Sequence, residues 1–271
     1  LFDDIQDDAY AVATAIELFH NFTLVHDDIM DEAPLRRGHP AVHQRYGVDS
    51  ALLAGDVLLV YAYDQLNQIN ERYLRRINRV FSRTAREVCE GQQLDMDYEA
   101  LPLVEVDMQA YLHMIALKTS VLLAGSLQMG GILGGASEGN LDHLYAFGKD
   151  LGIAFQIHDD YLDAFGDPEK FGKQPGGDIL ENKKTFLLLK AWEMANAAQK
   201  DHMNRLLSGT APDKVDQMLQ LYRDCRVDAW AVEEKRRFME SAATHLEKIT
   251  VLSARKTELQ CLIGLLLDRE S

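Results

Sequence analysis

Along most of this chain apolar residues recur at spacings of three and four, the period of a helix that buries one face. No run of alternating apolar and polar residues suggests a sheet. The pattern predicts helices over about 7–30, 50–69, 71–98, 107–136, 140–166, 178–206, 212–224, 228–247 and 252–269. Capping residues support three of the starts: Asp49 before Ser50, Asn140 before Leu141, and Pro212 within a first turn. Two connections concentrate breakers and charge. One runs over 32–48 with Pro34, Gly38, Pro40 and Gly47; the other runs over 166–177 with Pro168, Gly172, Pro175, Gly176 and Gly177. No linker and no low-complexity tract interrupts the pattern, so the expectation is one all-α domain over residues 1–271.

Composition narrows the partners. The hydrophobic content of 47% is that of a globular protein with a real core. The formal net charge of −15 argues against nucleic acid or an anionic membrane surface as a non-specific partner. An anionic substrate must then be held through metal or a local basic patch. Cys89, Cys225 and Cys261 are widely spaced and form no C-x-x-C pair, so they read as reduced core thiols of a cytoplasmic protein. The longest apolar stretch, 121–136, contains Ser126, Gln128 and several glycines and is too short to span a membrane. No signal-peptide pattern is present. Leu1-Phe2 reads as the end of a hydrophobic segment, so the natural chain is expected to begin further upstream.

The chemistry lies in an acidic pentapeptide that occurs twice. Asp27-Asp28-Ile29-Met30-Asp31 and Asp159-Asp160-Tyr161-Leu162-Asp163 are both D-D-x-x-D, each preceded by a histidine, His26 or His158, and by an apolar helical stretch. Positions i and i+4 share a helix face, so Asp27 pairs with Asp31 and Asp159 with Asp163. Two such faces opposed across a cavity would repel unless cations filled it. Carboxylate clusters favour hard divalent ions, and Mg²⁺ held this way takes substrate phosphate oxygens as further ligands. Each acidic motif leads into a basic, glycine-containing loop: Arg36-Arg37-Gly38 after the first, Lys173 within 171–178 after the second, with Lys183 and Lys184 beyond. Lys118-Thr119 lies within an otherwise apolar helix, where a lysine is costly unless its head reaches a charge or water. Carboxylate pairs converging with cations suit a diphosphate: metal bridges carboxylate to phosphate, and Arg and Lys bind the remaining oxygens.

At these residues the chain resembles the trans-isoprenyl diphosphate synthases. Two aspartate-rich motifs, the R-R-G that follows the first, the K-T pair, the segment Glu90-Gly91-Gln92-Gln93-Leu94-Asp95, the approach Phe155-Gln156-Ile157-His158-Asp159-Asp160 and a G-K-x-x-G-x-D loop all occur in the family's order. The resemblance implies an all-α bundle around a deep central cavity. It implies three Mg²⁺ ions ligated by Asp27, Asp31 and Asp159, with Asp28, Asp160 and Asp163 in supporting positions. Arg36, Lys118 and Lys173 would contact an allylic diphosphate (dimethylallyl, geranyl or farnesyl), with Lys183 nearby. Arg37 would bind isopentenyl diphosphate, with His20 beside it; His20 precedes Asp27 by two turns on the same face. Thr119, Gln156 and Gln92 would line the place where positive charge develops. The implied chemistry is ionisation, condensation and elimination, and the implied assembly is a homodimer.

Product length is argued from the first motif's helix. Thr23, one turn below Asp27, is small and lets the hydrocarbon tail pass. Phe22 and Phe19 are the candidate floor, which favours a C20 product with C15 next. The family's upstream G-K-x-x-R segment is absent from this sequence, and a tyrosine that some relatives carry three residues after the K-T pair is Leu122 here. Three other functions share parts of the pattern. A class I terpene cyclase usually carries an Asn/Ser/Glu-type second metal motif. An HD-type phosphohydrolase needs a further histidine upstream. A non-catalytic partner subunit of the same fold tends to lose the cations kept here. Tyr73, Arg75, Arg76 and Arg79 read as a charged helix face without the aromatic interleaving that suggests nucleic acid.

Overall fold

The protein is described here from a computed structural model, which covers residues 1–166, 176–209 and 211–267. In chain order the elements are α1 (Asp7–Met30), β1 (Leu35–Arg36), β2 (His39–Pro40), α2 (Val42–Tyr46), α3 (Val48–Leu66), α4 (Glu71–Ala100), α5 (Met108–Ile115), α6 (Val121–Leu133) and α7 (Glu138–Phe165). They continue with α8 (Gly177–Leu180), α9 (Phe186–Met194), α10 (Ala197–Ser208), α11 (Lys214–Asp224), α12 (Val227–Lys248) and α13 (Thr257–Leu267). The residues gather into two compact units, one of 1–86 with 125–142 and one of 87–124 with 143–271. Each boundary falls inside a helical stretch of the chain.

In the first unit α1 packs on α3. Val12, Ala15 and Phe19 of α1 are buried, as are Ala51, Gly55, Ala62 and Leu66 of α3 and Ile77 and Phe81 of α4. The helices approach closely because small residues meet large ones. A Cβ on Gly55 would lie 2.3 Å from His26 Nε2, and one on Gly125 would lie 2.4 Å from Thr84 Oγ1. Phe19 stands edge-on to Phe81 at 5.5 Å between ring centroids, a favourable aromatic geometry. At its C-terminus α1 stops on Glu32, which adopts the left-handed conformation (φ 50). The Ala33 amide then donates to Asp28 O and the Glu32 amide to Ile29 O, the Schellman arrangement.

In the second unit the core is built by α5, α7, α9, α11 and α12. Tyr111, Ile157, Leu188, Met218 and Ala231 are all buried in it, and Phe186 stacks on Trp230 at 4.3 Å. Two glycines set the spacing of its helices. A Cβ on Gly91 would lie 2.2 Å from the Lys118 backbone nitrogen, and one on Gly152 would lie 2.6 Å from Ser120 Cα.

The fold departs from the periodicity reading in three places. The stretch 178–206 is three helices rather than one. Thr185 caps α9 by accepting from the Leu188 amide, Asn182 takes a positive φ of 59, and Asn196 with Gln199 forms a reciprocal capping box at α10. Those local bonds compete with helix continuation and win. The stretch 107–136 is divided by a π-helical turn over Ala116–Ser120. Residues 35–40, expected as irregular, form a two-stranded antiparallel hairpin pairing Leu35 with Pro40 and Arg36 with His39. Its two turn residues, Arg37 (φ 52) and Gly38 (φ 76), both have the positive φ that a type I′ turn needs. Of the cysteines, only Cys225 is buried; Cys89 and Cys261 are exposed and all three are free.

The helical run Met108–Leu133 is longer than the apolar stretch read from the sequence, and by length and composition it could cross a membrane. Within its most apolar window 44% is buried in the protein, and Lys118 in the middle of the run is ion-paired with Asp95. Those features are the ones a core helix shows.

Because the atoms that a Gly91 methyl would strike are backbone, no rotamer change relieves the clash. The variant Gly91→Ala is expected to lose about 2–3 kcal/mol of unfolding free energy. Urea denaturation checks it, and an unchanged midpoint would show that α4 is not held against the π-turn.

Candidate active site

The first aspartate motif ends α1. Asp28 is buried, and Arg36 from β1 grips it: the Arg36 Nε donates to Asp28 Oδ1 at 2.9 Å and Nη2 makes a closer contact to the same oxygen. The same Nη2 lies 3.6 Å from Asp27 Oδ2. The hairpin turn returns the chain so that this can happen. The hydrogen bond to Asp28, and then the charges of Asp28, Asp27 and Asp31, hold the guanidinium more firmly protonated than usual. This cation also offsets the negative end of the α1 dipole, where aspartates are otherwise disfavoured. Asp27 is half-buried and Asp31 exposed. His20 is half-buried; burial foremost, and the nearby Arg37 and Arg36, push its pKa down against the pull of Glu17, so it is a neutral imidazole at pH 7. Arg37 is exposed at the tip of the hairpin.

Below this motif Thr23, Phe19 and Phe22 lie about 40°, 80° and 140° around the helix from Asp27. The Thr23 hydroxyl donates to the His20 carbonyl at 2.8 Å, so its polar group is satisfied within the helix. Phe22 is half-buried and forms a run of rings with Phe19 at 5.7 Å and His26 at 4.7 Å. Phe19 is fully buried, so it is core first.

The second motif, in the other unit, repeats the division of labour. Its middle residue, Asp160, is buried and accepts three hydrogen bonds: from Tyr111 OH at 2.6 Å, Gln156 Nε2 at 2.9 Å and the Phe186 amide at 3.2 Å. Burial raises its pKa to about 6, and those three donors restrain the rise. Gln156 in turn accepts from the Thr119 hydroxyl at 3.4 Å, so Thr119, Gln156, Asp160 and Tyr111 form one chain of bonds. Asp159, one residue earlier, is exposed, and Asp163 is half-buried. Asp163 Oδ2 accepts from the Asp178 amide at 3.1 Å and its carbonyl accepts from the Gly176 amide at 2.6 Å, which anchors the far end of the glycine-rich loop. Lys173 lies outside the described residues. Lys183 is half-buried and pairs with Glu181 at 3.1 Å.

Lys118 and Thr119 are presented by the π-turn, a distortion frequent at functional sites because it redirects consecutive side chains. Lys118 Nζ is 2.5 Å from Asp95 Oδ2. Gln92, half-buried, is one turn before Asp95 on the same helix. Among the described residues no three His, Cys, Asp or Glu side chains converge into a metal cage. A cation here would therefore complete its shell from water or a ligand, which suits Mg²⁺ and an all-carboxylate donor set rather than zinc.

The family model for polyprenyl synthetase matches residues 2–225. The chain belongs to the polyprenyl synthetase family. A short chain isoprenyl diphosphate synthase of Methanothermobacter thermautotrophicus is 36% identical over 264 residues, covering 97% of this chain and 80% of that protein. The crystal structure of geranylgeranyl pyrophosphate synthetase from Pyrococcus horikoshii Ot3 superposes with a TM-score of 0.91 at 34% identity, covering 97% of this chain and 80% of that one. The geranylgeranyl pyrophosphate synthase of Corynebacterium glutamicum, solved with isoprenyl diphosphate and magnesium, has a TM-score of 0.87 at 27% identity, covering 97% and 80%. The all-α fold expected from the polyprenyl synthetase resemblance is thus the fold found.

Four residues at these sites were not singled out from the sequence of this family member: Asp95, Tyr111, Asp178 and Lys235. Asp95 closes the E-G-Q-x-x-D segment and was there to be read. Asp178 likewise closes the G-K-x-x-G-x-D loop, whereas Tyr111 carries no local signal. Lys235 Nζ approaches the buried His158 Nδ1 at 3.3 Å from a helix far along the chain. Burial, followed by the charges of Asp163 and Asp160, raises the Asp178 pKa to about 7. The sign follows from linkage. Between the ordinary carboxylate value of 3.8 and about 7 the folded protein keeps a proton on Asp178 that the unfolded chain has released. In chelator, stability is therefore expected to fall as pH rises through that window, and Asp178→Asn to flatten the fall. Parallel melts of both proteins from about pH 4.5 to 7.5 check this, and superimposable slopes would reject it.

Proposed function

We propose that this chain condenses isopentenyl diphosphate with an allylic diphosphate (dimethylallyl, geranyl or farnesyl) to give a short-chain trans-prenyl diphosphate of C20, with C15 as the next choice. The supporting observation is the repeated pattern in the two motifs. In each, the middle aspartate is buried and held by protein donors, while its neighbours Asp27 and Asp31, or Asp159 and Asp163, are partly or fully open to solvent. Helix geometry places the first and last aspartates of each motif on one face, and the donors spent on the middle one hold that face in position. In the proposal Asp27, Asp31 and Asp159 hold Mg²⁺, three ions in all, and Asp28, Asp160 and Asp163 fix their helices. The metal, when bound, neutralises charge on the diphosphate and makes it a better leaving group.

The chain's own groups do the rest. Lys118 and Lys173 take oxygens of the allylic diphosphate. Arg36 contributes the N–H groups it does not spend on Asp28, since a guanidinium has five. Lys183 lies at the loop's exit. Arg37 and neutral His20 bind the second diphosphate, that of isopentenyl diphosphate. As the allylic C–O bond breaks, positive charge grows on carbon, and the oxygens of Thr119 and Gln156, with Gln92, present fixed negative dipole ends to it. The π bond of isopentenyl diphosphate then attacks, and the proton lost from the adduct passes to the departing diphosphate. Exposed Leu53, Val57, Val60 and Tyr61 on α3 support a homodimer, because such a run of apolar side chains marks an interaction surface.

Mass spectrometry of products from each allylic primer tests the reading. A magnesium-dependent diphosphate longer than its primer is expected, and Asp27→Asn or Asp159→Asn should lower the rate by about 10²–10³-fold. Cyclised hydrocarbon would make it a terpene cyclase, and no turnover a partner subunit. Product length is tested at Phe22, where truncation spares the core better than at Phe19. Phe22→Ala is expected to shift the distribution to longer products, and an unchanged distribution would remove Phe22 from the floor.

A further inference from the structure

We propose that a cleft beside α4, separate from the aspartate motifs, is a binding site for a small multivalent phosphate anion of the inorganic diphosphate class. The cleft has a volume of about 340 Å³ and is lined by Arg76, Arg79, Arg83 and Arg86, with Gln128 and Glu138 opposite. These four arginines fall within about 80° of the helix circumference and about 15 Å of its length. Like charges three and four residues apart destabilise a helix. Here they gather on one face of a chain whose net charge is −15.

Among the described residues two of the four carry no counter-charge, and a third is paired only at the surface. Arg76 pairs with Glu138 at 2.5 Å, but the Glu138 side chain is 81% exposed, and such a pair contributes little and exchanges readily. Arg83 donates through Nη2 to Gln128 Oε1 at 2.8 Å, which orients that guanidinium along the cleft wall. Arg79 and Arg86 are exposed and make no hydrogen bond or ion pair among the described residues. The remaining wall is aliphatic, including Ile132 and the buried Leu141. With no aromatic ring to stack a base, the cleft does not suit a nucleotide. Planar guanidinium forks match tetrahedral phosphate oxygens two at a time, and four forks match two linked phosphoryl groups. The proposed condensation releases an anion of this class, but the site does not rest on that reading, because binding is measured without turnover.

Calorimetry of inorganic diphosphate against the full chain, with chelator present so that the aspartate motifs hold no metal, tests the site. Saturable binding is expected, and the double variant R79Q/R86Q should weaken it by about tenfold or more, while R37Q, at the exposed hairpin tip beside the first aspartate motif, should not. All three altered positions are exposed, so an unchanged thermal melt should accompany each variant. Equal affinity of the double variant, or loss of binding in R37Q instead, would overturn the proposal. Sedimentation with phosphatidate-containing vesicles provides the second arm. Vesicle binding that needs Arg79 and Arg86, without binding of free diphosphate, would replace the soluble anion by a lipid headgroup and so overturn it as well.

Discussion

The structure turns on burying a carboxylate beside other carboxylates and satisfying it. An unpaired buried charge is expensive, and it persists only where donors and cations converge on it. Asp160 meets that condition through Tyr111 from α5, Gln156 from its own helix and the Phe186 amide at the start of α9. Three separate pieces of the second unit are thereby tied to one side chain. Asp28 meets it through a single arginine carried on a hairpin. The first solution is a neutral hydrogen-bond network and the second an ion pair, yet in both the flanking aspartates of the motif stay partly or fully open to solvent.

Around that constraint the local distortions make sense together. Gly91 lets α4 approach the π-turn with no side chain between them, and the same approach sets Asp95 against Lys118. The π-turn gives Thr119 a direction toward Gln156, so the network that holds Asp160 also orients the hydroxyl proposed to face developing positive charge. A tight hairpin turn, with Arg37 and Gly38 both at positive φ, gives Arg36 its route back to Asp28. Small residues and unusual backbone occur where charged groups must be delivered at short range.

Much of this was legible beforehand. Helix existence followed from apolar spacing, and the acidic and basic motifs were recognisable in order. The break of 178–206 into three helices was readable in principle from Thr185 and from the N-x-x-Q capping box at Asn196, but the helical period persisted through both and masked them. The hairpin at 35–40 has strands too short for any alternation to register. Tyr111 and Lys235 were invisible, because each meets its partner across a sequence separation of tens of residues.

The sequence alone determined the all-α character, the two acidic turns with their basic followers, and the family, since these depend on period and local order. Tertiary structure decided which aspartate of each motif is an anchor and which is presented, that Arg36 serves Asp28, and that Asp178 holds its proton more tightly than an ordinary carboxylate. Those outcomes depend on desolvation and on donors brought from distant parts of the chain. A helical repeat fixes the face on which a side chain lies, but not what will be packed against it.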